Sequence, residues 1–171
     1  MGVTILESEM QFGEYKENQV FQIEKSEQYT KKLRQRGVRC CEFLLLRDNK
    51  LCFIEAKKSY PDPLIGCSSD ERKEQYHKDI REIVEKMRHS LELYANILLK
   101  RYSQEGVSEL MRNVETLEMR LILVIKNADA SWIAPLQDVF RKELRAEMQI
   151  WKIPDFIILN EEQARKKHLI V

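Results

Sequence analysis

The chain has 171 residues, 43% of them hydrophobic, and its 29 Lys and Arg against 28 Asp and Glu leave a formal net charge of +1. This length predicts one domain over residues 1–171, and the charge excludes a protein whose overall field attracts polyanions. No run of about 18 apolar residues occurs, which excludes a membrane-spanning helix, and the four cysteines lack a CxxC spacing, which is typical of reduced thiols. We therefore expect a cytoplasmic protein that does not contact membranes.

The N-terminal third of the chain predicts short elements. A strand is expected around residues 4–6, and the apolar residues between 20 and 23 indicate a second one. Ser26 is a residue type that caps helices, and the basic segment after it predicts a helix that Gly37 ends.

Two apolar segments, residues 38–47 and 50–57, predict a β-hairpin. They are rich in Val, Leu, Ile, Phe and Cys, and only Asp48 and Asn49 separate them. Both of these residues tolerate the positive φ of a tight two-residue turn. The hairpin is the clearest local pattern in the chain.

This turn also predicts which side chains oppose each other. Two turn residues pair Arg47 with Lys50, and the same register places Glu42 opposite Glu55. Opposed side chains of an antiparallel pair lie about 5 Å apart at Cβ, and two like charges there destabilise the sheet. Lys57, two residues beyond Glu55, shares their face. Two acids and one base are therefore expected at one point of the hairpin.

A loop and a long helix are predicted after the hairpin. Two prolines within three residues continue neither a helix nor a strand, so a loop is expected. The loop residues are Pro61, Asp62, Pro63 and Gly66. Ser69 or Asp70 then caps a helix that runs to about residue 100 and carries one apolar stripe with steps of three and four. The stripe consists of Tyr76, Ile80, Ile83, Met87, Leu91, Tyr94 and Leu98.

The last third predicts alternating strands and helices. Residues 119–125 form an almost uninterrupted apolar run, which favours a strand buried on both faces. Ser131 is expected to cap the next helix, and residues 150–159 predict another strand. Asn160 with Gln163 three positions later is typical of a reciprocal cap on a terminal helix.

Strands that alternate with helices predict an α/β fold. We expect a mixed central sheet flanked by helices, in three α-β-α layers. Pro154 interrupts the last predicted strand and indicates that this strand lies at an edge of the sheet or at a bulge.

The acidic pair predicts a metal site. Two carboxylates in a partly desolvated position either raise a pKa strongly or bind a cation. Mg²⁺ prefers oxygen ligands and retains water molecules for a phosphate and a nucleophile. Lys57 could then orient or deprotonate the attacking water, or neutralise charge that develops on a phosphate. The pattern therefore favours a metal-assisted hydrolase.

These residues resemble a known superfamily, the PD-(D/E)xK nucleases, which include restriction endonucleases and archaeal Holliday-junction resolvases. The resemblance depends on Glu42, twelve intervening residues, and then the strand Ile54-Glu55-Ala56-Lys57, although no Pro-Asp pair precedes Glu42. It implies a restriction-endonuclease-like fold. It also implies that Glu42, Glu55 and the Ala56 carbonyl bind Mg²⁺ or Mn²⁺, with Glu42, Glu55 and Lys57 as the catalytic residues.

The resemblance implies a nucleic acid, DNA or RNA, as the substrate. Basic residues that could bind its phosphates are Lys31, Lys32, Arg34, Arg36 and Lys58. The first four equally match a solvated helix face, which is the commoner reason for a run of like charges.

Several alternatives stay open from the sequence. The acids of the hairpin could belong to a solvated face with a simple ion pair. Members of the superfamily often carry a further Glu near the N-terminus, and Glu7, Glu14, Glu24 and Glu27 all qualify. Cys40 is interpreted as a buried thiol in preference to a nucleophile. The alternative function is a catalytically inactive nuclease-fold module that binds a partner, and the chain could act as a homodimer or as a subunit of a larger assembly.

Overall fold

The chain folds as an α/β structure around a mixed central sheet. The structure, a computed structural model, describes residues 2–59 and 69–171, and the loop predicted at residues 61–66 lies outside them. In chain order the strands and helices are β1 (Gly2–Glu7), β2 (Met10–Lys16), β3 (Val20–Phe21), α1 (Glu27–Thr30), β4 (Phe43–Arg47), β5 (Lys50–Lys57), α2 (Asp70–Leu98), α3 (Glu109–Arg112), β6 (Glu118–Ile125), α4 (Ala130–Glu143), α5 (Arg145–Ile150), β7 (Phe156–Asn160) and α6 (Glu161–Lys166). Short 3-10 turns lie at Glu17–Gln19, Ile23–Lys25, Arg34–Arg36 and Val114–Thr116.

The central sheet has five strands in the order β3-β4-β5-β6-β7. The first three are antiparallel neighbours, whereas β5, β6 and β7 run parallel to one another. The predicted α/β class with a mixed sheet flanked by helices is therefore confirmed at this level. As expected, Pro154 precedes a strand at the edge of this sheet. Because β5 and β6 are parallel, their carboxyl ends lie at the same edge.

One face of the sheet packs against α2 and α4. The apolar stripe of α2 is confirmed, with Ile80, Ile83, Met87, Leu91 and Tyr94 buried against the sheet. The predicted cap is confirmed as well, because the Ser69 side chain accepts a hydrogen bond from the Arg72 N–H. Burial of this apolar surface is the main contribution to the stability of the fold.

The β1–β2 hairpin and α6 cover the other face of the sheet. Phe12 of this hairpin packs edge-on against Phe43 of β4, with ring centroids 5.3 Å apart. The Tyr15 hydroxyl donates a hydrogen bond of 2.5 Å to the Leu169 carbonyl, which ties the hairpin to the segment after α6. The sequence predicted a strand within β1 but not its partner β2, so this layer differs from the purely helical one that was expected.

The predicted β4–β5 hairpin is confirmed in its turn and register but not in its length. Arg47 pairs with Lys50, and Asp48 and Asn49 have φ angles of 51° and 59°. The prediction that the first strand begins at residue 38 is wrong, because β4 begins at Phe43.

Two other predicted elements begin or end differently. The basic helix predicted after Ser26 is broken, because α1 ends at Thr30 and only a 3-10 turn at Arg34–Arg36 precedes Gly37. Gly37 does take the left-handed conformation, with a φ of 79°.

Corrections also apply near the C-terminus. Asp129, not Ser131, caps α4, since its carboxylate accepts a hydrogen bond of 2.8 Å from the Ser131 N–H. The strand predicted at residues 150–159 is shorter, because residue 150 still belongs to α5 and β7 begins at Phe156. The reciprocal cap between Asn160 and Gln163 is confirmed.

None of the helices in the described part of the chain combines the length and the apolar character that crossing a bilayer requires.

Candidate functional site

Strand β5 directs Glu55 toward α2. Side chains alternate along a strand, and Leu51 and Phe53 of β5 belong to the core beneath α2. Glu55 continues this series, and its side chain is 0% exposed. Lys57 follows on the same face at the end of the strand, where 28% of its side chain is exposed. A carboxylate thus lies inside an apolar core, with a lysine at its rim.

Glu42 reaches the same face from a segment that is not a strand. The β4–β5 ladder ends at the pair Phe43 and Ile54, and the Glu42 N–H donates to the Ile54 carbonyl at 3.0 Å. The expected pairing of Glu42 with Glu55 as direct ladder partners therefore stops one residue short. Both side chains nevertheless lie on the α2 side of the sheet, because both contact Lys86 of that helix.

Helix α2 holds the segment before Glu42 in place. The Arg39 N–H donates to His89 Nδ1 at 3.1 Å, and the Cys41 N–H donates to Ser90 Oγ at 2.8 Å. These helix side chains satisfy backbone groups that a strand would pair with a neighbouring strand. This is the physical reason why residues 38–42 do not extend β4.

Lys86 is the central cation of the site, and it is not among the residues predicted from the sequence. Its Nζ lies 2.8 Å from Glu55 Oε1 and 3.6 Å from Glu42 Oε1, and only 13% of its side chain is exposed. A signal for it was present in the sequence. Lys86 and Ser90 are four residues apart beside the apolar stripe of α2, where polar residues lie toward the core and need partners.

A second layer of charges surrounds this centre. Lys57 Nζ lies 3.5 Å from Glu55 Oε1 and 3.2 Å from Glu82 Oε1, while Arg39 approaches the other oxygen of Glu82 at 3.3 Å. Burial alone would raise the pKa of Glu82, but its cationic neighbours outweigh this effect and lower the pKa. Glu82 is therefore ionised and paired, and it holds Lys57 at the rim of the site.

Glu24 is the N-terminal glutamate that joins the site. Its carboxyl group lies beside that of Glu42 and raises the pKa of Glu42. Glu7 and Glu27 are engaged elsewhere, in ion pairs with Lys25 and Lys31. Of the candidates left open by the sequence, only Glu24 contacts the predicted residues through a described interaction.

The acids of the site are strongly perturbed. Burial, the neighbouring Glu24 carboxyl group and the charge of Glu55 raise the pKa of Glu42 to about 9. Burial raises the pKa of Glu55, although Lys86 and Lys57 oppose this effect. Burial would lower the pKa of Lys86, but Glu55 and Glu42 outweigh it and hold the pKa above its ordinary value. Buried groups with such shifts are typical of functional sites.

Two oxygens of the site are of the kind that binds a hard divalent cation, one of Glu55 and the carbonyl oxygen of Ala56. Glu55 Oε2 is buried and has no hydrogen-bond partner among the described residues. An orphaned carboxylate oxygen of this kind is costly unless a ligand contacts it. The Ala56 carbonyl accepts a hydrogen bond of 3.0 Å from Ser8 Oγ, and a carbonyl oxygen has a second lone pair for another contact. In residues 2–59 and 69–171, however, no three His, Cys, Asp or Glu side chains already converge closely enough to hold an ion.

The residues predicted to bind nucleic acid differ in how they relate to the acidic site. Lys32, Arg34 and Arg36 are exposed, and within the described chain no hydrogen bond or ion pair joins residues 31–36 to Glu42, Glu55 or Lys57. Lys58 is adjacent to Lys57 in the chain and lies at the carboxyl end of β5.

Lys58 and Lys126 lie at this edge together with the turn of the β1–β2 hairpin. Glu9 of that turn contacts Lys58 Nζ at 2.5 Å and Lys126 Nζ at 3.5 Å. The Lys126 N–H in turn donates to the Lys57 carbonyl at 2.9 Å. Three lysines therefore lie at the carboxyl ends of β5 and β6. Lys57 lies on the α2 side of the sheet, whereas Lys58 and Lys126 lie on the side of the β1–β2 hairpin, where Glu9 neutralises part of their charge.

Cys40 is a buried thiol, in agreement with its interpretation from the sequence. It is 0% exposed, and burial raises its pKa to about 12. A buried thiol with a raised pKa forms little of the nucleophilic thiolate near neutral pH.

Comparisons with protein-family models, with curated proteins and with solved structures find no match for this chain.

Proposed function

We propose that this protein is a divalent-metal-dependent nuclease of the restriction-endonuclease-like type, which hydrolyses phosphodiester bonds of DNA or RNA. The observation that carries the proposal is the fully buried Glu55 carboxylate, whose Oε2 has no partner among the described residues and which shares Lys86 with a second acid, Glu42. The α/β sheet, with its remaining face covered by a hairpin and a helix, is compatible with the three-layer α-β-α arrangement of that superfamily.

In this proposal, Glu42, Glu55 and the Ala56 carbonyl hold Mg²⁺ or Mn²⁺. Glu24 lies beside Glu42 and adds a further carboxyl group to the site. When bound, such an ion supplies a more acidic water molecule and neutralises phosphate charge. Lys57 is the catalytic lysine, since its Nζ is partly exposed while Glu55 and Glu82 hold it in position. From there it can orient the attacking water or stabilise negative charge on the phosphate.

The lysines at the carboxyl ends of β5 and β6 provide the substrate contacts of this proposal. Lys57, Lys58 and Lys126 lie at the carboxyl ends of β5 and β6, where open α/β sheets commonly bind ligands, with Lys57 on the α2 side and the other two on the hairpin side. A nucleic-acid phosphate would replace Glu9 as the partner of these two ammonium groups. The exposed residues Lys32, Arg34 and Arg36 are a separate candidate surface for a longer substrate.

The proposal is tested by cleavage of a mixed DNA and RNA substrate with Mg²⁺ or Mn²⁺. We expect Glu55→Gln and Lys57→Gln each to lower the cleavage rate by at least about 100-fold, because each removes a group that acts at the reacting phosphate. A chelator should abolish cleavage in the unchanged protein. Circular dichroism of each variant checks that the fold persists.

Two matched variants control for the loss of one charge. Glu92→Gln and Lys78→Gln make the same substitutions at exposed positions of α2, and both should retain activity. Cleavage that survives both Glu55→Gln and Lys57→Gln would show that the site assignment is wrong.

One observation favours the alternative, a catalytically inactive module that binds a partner. The Lys86 ammonium already contacts Glu42 and Glu55, and it can serve as their counter-ion without a metal. Calorimetry with Mn²⁺ separates the two functions. Heat of binding at Glu55, lost in Glu55→Gln, supports the nuclease, and no binding at millimolar Mn²⁺ supports the inactive module.

A further inference from the structure

Lys86 is fixed at the centre of the acidic site by the fold itself. It projects from the 29-residue helix α2, whose apolar stripe is buried against the sheet. Ser90, one turn further along, donates to the Lys86 carbonyl at 2.6 Å and accepts from the Cys41 N–H. The ammonium group is therefore held by a rigid element, and its position does not depend on a mobile surface side chain.

The charges in the inner site disfavour a second divalent ion. Lys86 Nζ contacts Glu42 and Glu55, and Lys57 Nζ lies 3.5 Å from Glu55, so two ammonium groups already face these two carboxyl groups. Each divalent ion adds two further positive charges. A second ion would therefore concentrate positive charge in a largely buried space, which is unfavourable at low dielectric.

The contacts of the Glu55 oxygens also indicate that the site binds one ion. In two-ion sites the metals lie about 3.5–4 Å apart, and both need carboxylate oxygens as ligands. Here Glu55 Oε1 is engaged by Lys86 at 2.8 Å and by Lys57 at 3.5 Å. Only Oε2 is without a partner among the described residues. This carboxylate can therefore offer one oxygen to one ion.

We infer that Lys86 is a built-in counter-ion that takes the place of a second metal ion, so that the site binds a single divalent cation. The inference rests on the proposed function, because it assumes that the acidic site binds metal at all. It specifies how many ions the site binds, and it gives Lys86 a positioning role that is distinct from the catalytic role of Lys57. Removal of the positive charge of Lys86 should open the place of the second ion.

The experiment counts Mn²⁺ ions bound per chain by calorimetry and by native mass spectrometry, without substrate. We expect one ion for the unchanged protein and two for Lys86→Gln, which keeps a polar side chain of similar length but removes the charge. Lys78→Gln, the same change at an exposed position of α2, should still bind one. Two ions in the unchanged protein, or only one in Lys86→Gln, would overturn the inference.

The outcomes separate this inference from the proposed function. Binding of two ions by the unchanged protein refutes the role of Lys86 and leaves a metal-dependent nuclease intact, whereas binding of none refutes the nuclease itself. Lys86→Arg provides a second variant if Lys86→Gln does not fold. Because it retains the positive charge, it should bind one ion, and two ions in this variant would also contradict the inference.

Discussion

Glu55 and Glu42 show how a few buried charges depend on one another. Glu55 is surrounded by the core beneath α2, and Lys86 and Lys57 provide its nearest positive charges. Loss of one partner from a buried pair destabilises a protein more than the intact pair stabilises it, because the remaining charge has neither water nor a counter-ion. The buried charges of the site therefore destabilise the fold unless each of them has a partner of opposite charge.

The raised pKa of Glu42 predicts that the metal-free protein loses stability as the pH rises. In the unfolded chain Glu42 ionises near its ordinary value of 4.5, whereas in the folded protein it keeps its proton until about pH 9. The folded state thus binds more protons between these values, and the free energy of unfolding falls across that window. Thermal unfolding in the presence of a chelator at several pH values measures this decline in stability.

Glu42→Gln provides the control for this pH dependence. The amide cannot ionise, so the decline of stability between about pH 5 and pH 9 should be smaller in this variant. Ion pairs with a lowered carboxylate pKa, such as Asp155 with Arg141, lose stability only at more acidic pH and do not obscure the effect. A stability that is flat or rising over this range in the unchanged protein would contradict the prediction.

Helix α2 contributes residues both to the apolar core and to the candidate site. Its apolar stripe covers the sheet, and its polar residues Lys86, His89 and Ser90 contact the acids and the segment before Glu42. A change in how this helix packs therefore changes the site as well. The β1–β2 hairpin has a smaller role, since its turn contributes Ser8 and Glu9 to the site edge.

Packing of α2 predicts a large effect of Ile83→Ala on stability. Ile83 is 0% exposed in the core beneath the helix, and its truncation should lower the free energy of unfolding by about 3 kcal/mol. Arg81→Ala, at an exposed position of the same helix, should change it by less than about 0.5 kcal/mol. Denaturant unfolding measures both, and similar values for the two variants would show that α2 does not pack as described.

The whole molecule is nearly neutral, so substrate binding depends on local cations. The formal net charge is +1, and the lysines at the carboxyl ends of β5 and β6 are partly neutralised by Glu9 and Glu82. Long-range attraction of a nucleic acid is therefore weak, and contacts at the carboxyl ends of β5 and β6 must supply most of the affinity.

This distribution predicts a shallow dependence of nucleic-acid binding on salt. Each phosphate that a lysine neutralises contributes a slope of about −0.9 to a plot of log affinity against log salt concentration for duplex DNA. Lys57, Lys58 and Lys126 together predict a slope of about −3. Fluorescence anisotropy with a labelled duplex and the Glu55→Gln variant measures it without cleavage. A slope of about −6 or steeper would show that residues 31–36 also contact the phosphates.

Local sequence patterns were sufficient to predict those elements whose structure depends on residues close together in the chain. Asp48 and Asn49 can adopt positive φ, so they defined the hairpin and its register, and the stripe of α2 with its cap at Ser69 was equally readable. Because side chains alternate along a strand, the register already implied that Glu42, Glu55 and Lys57 share one face. The caps formed by Asn160 and Gln163 have the same local origin.

Contacts between distant parts of the chain decided the rest. Glu42 lies in a non-strand segment because His89 and Ser90, about fifty residues away, accept its neighbours' N–H groups. Lys86 enters the site only through the docking of α2, and Glu24 only through the packing of the segment before α1. Residue periodicity indicates which face of an element is apolar. It does not indicate which polar groups come into contact when two elements pack together, and those contacts determine the charge arrangement of the site.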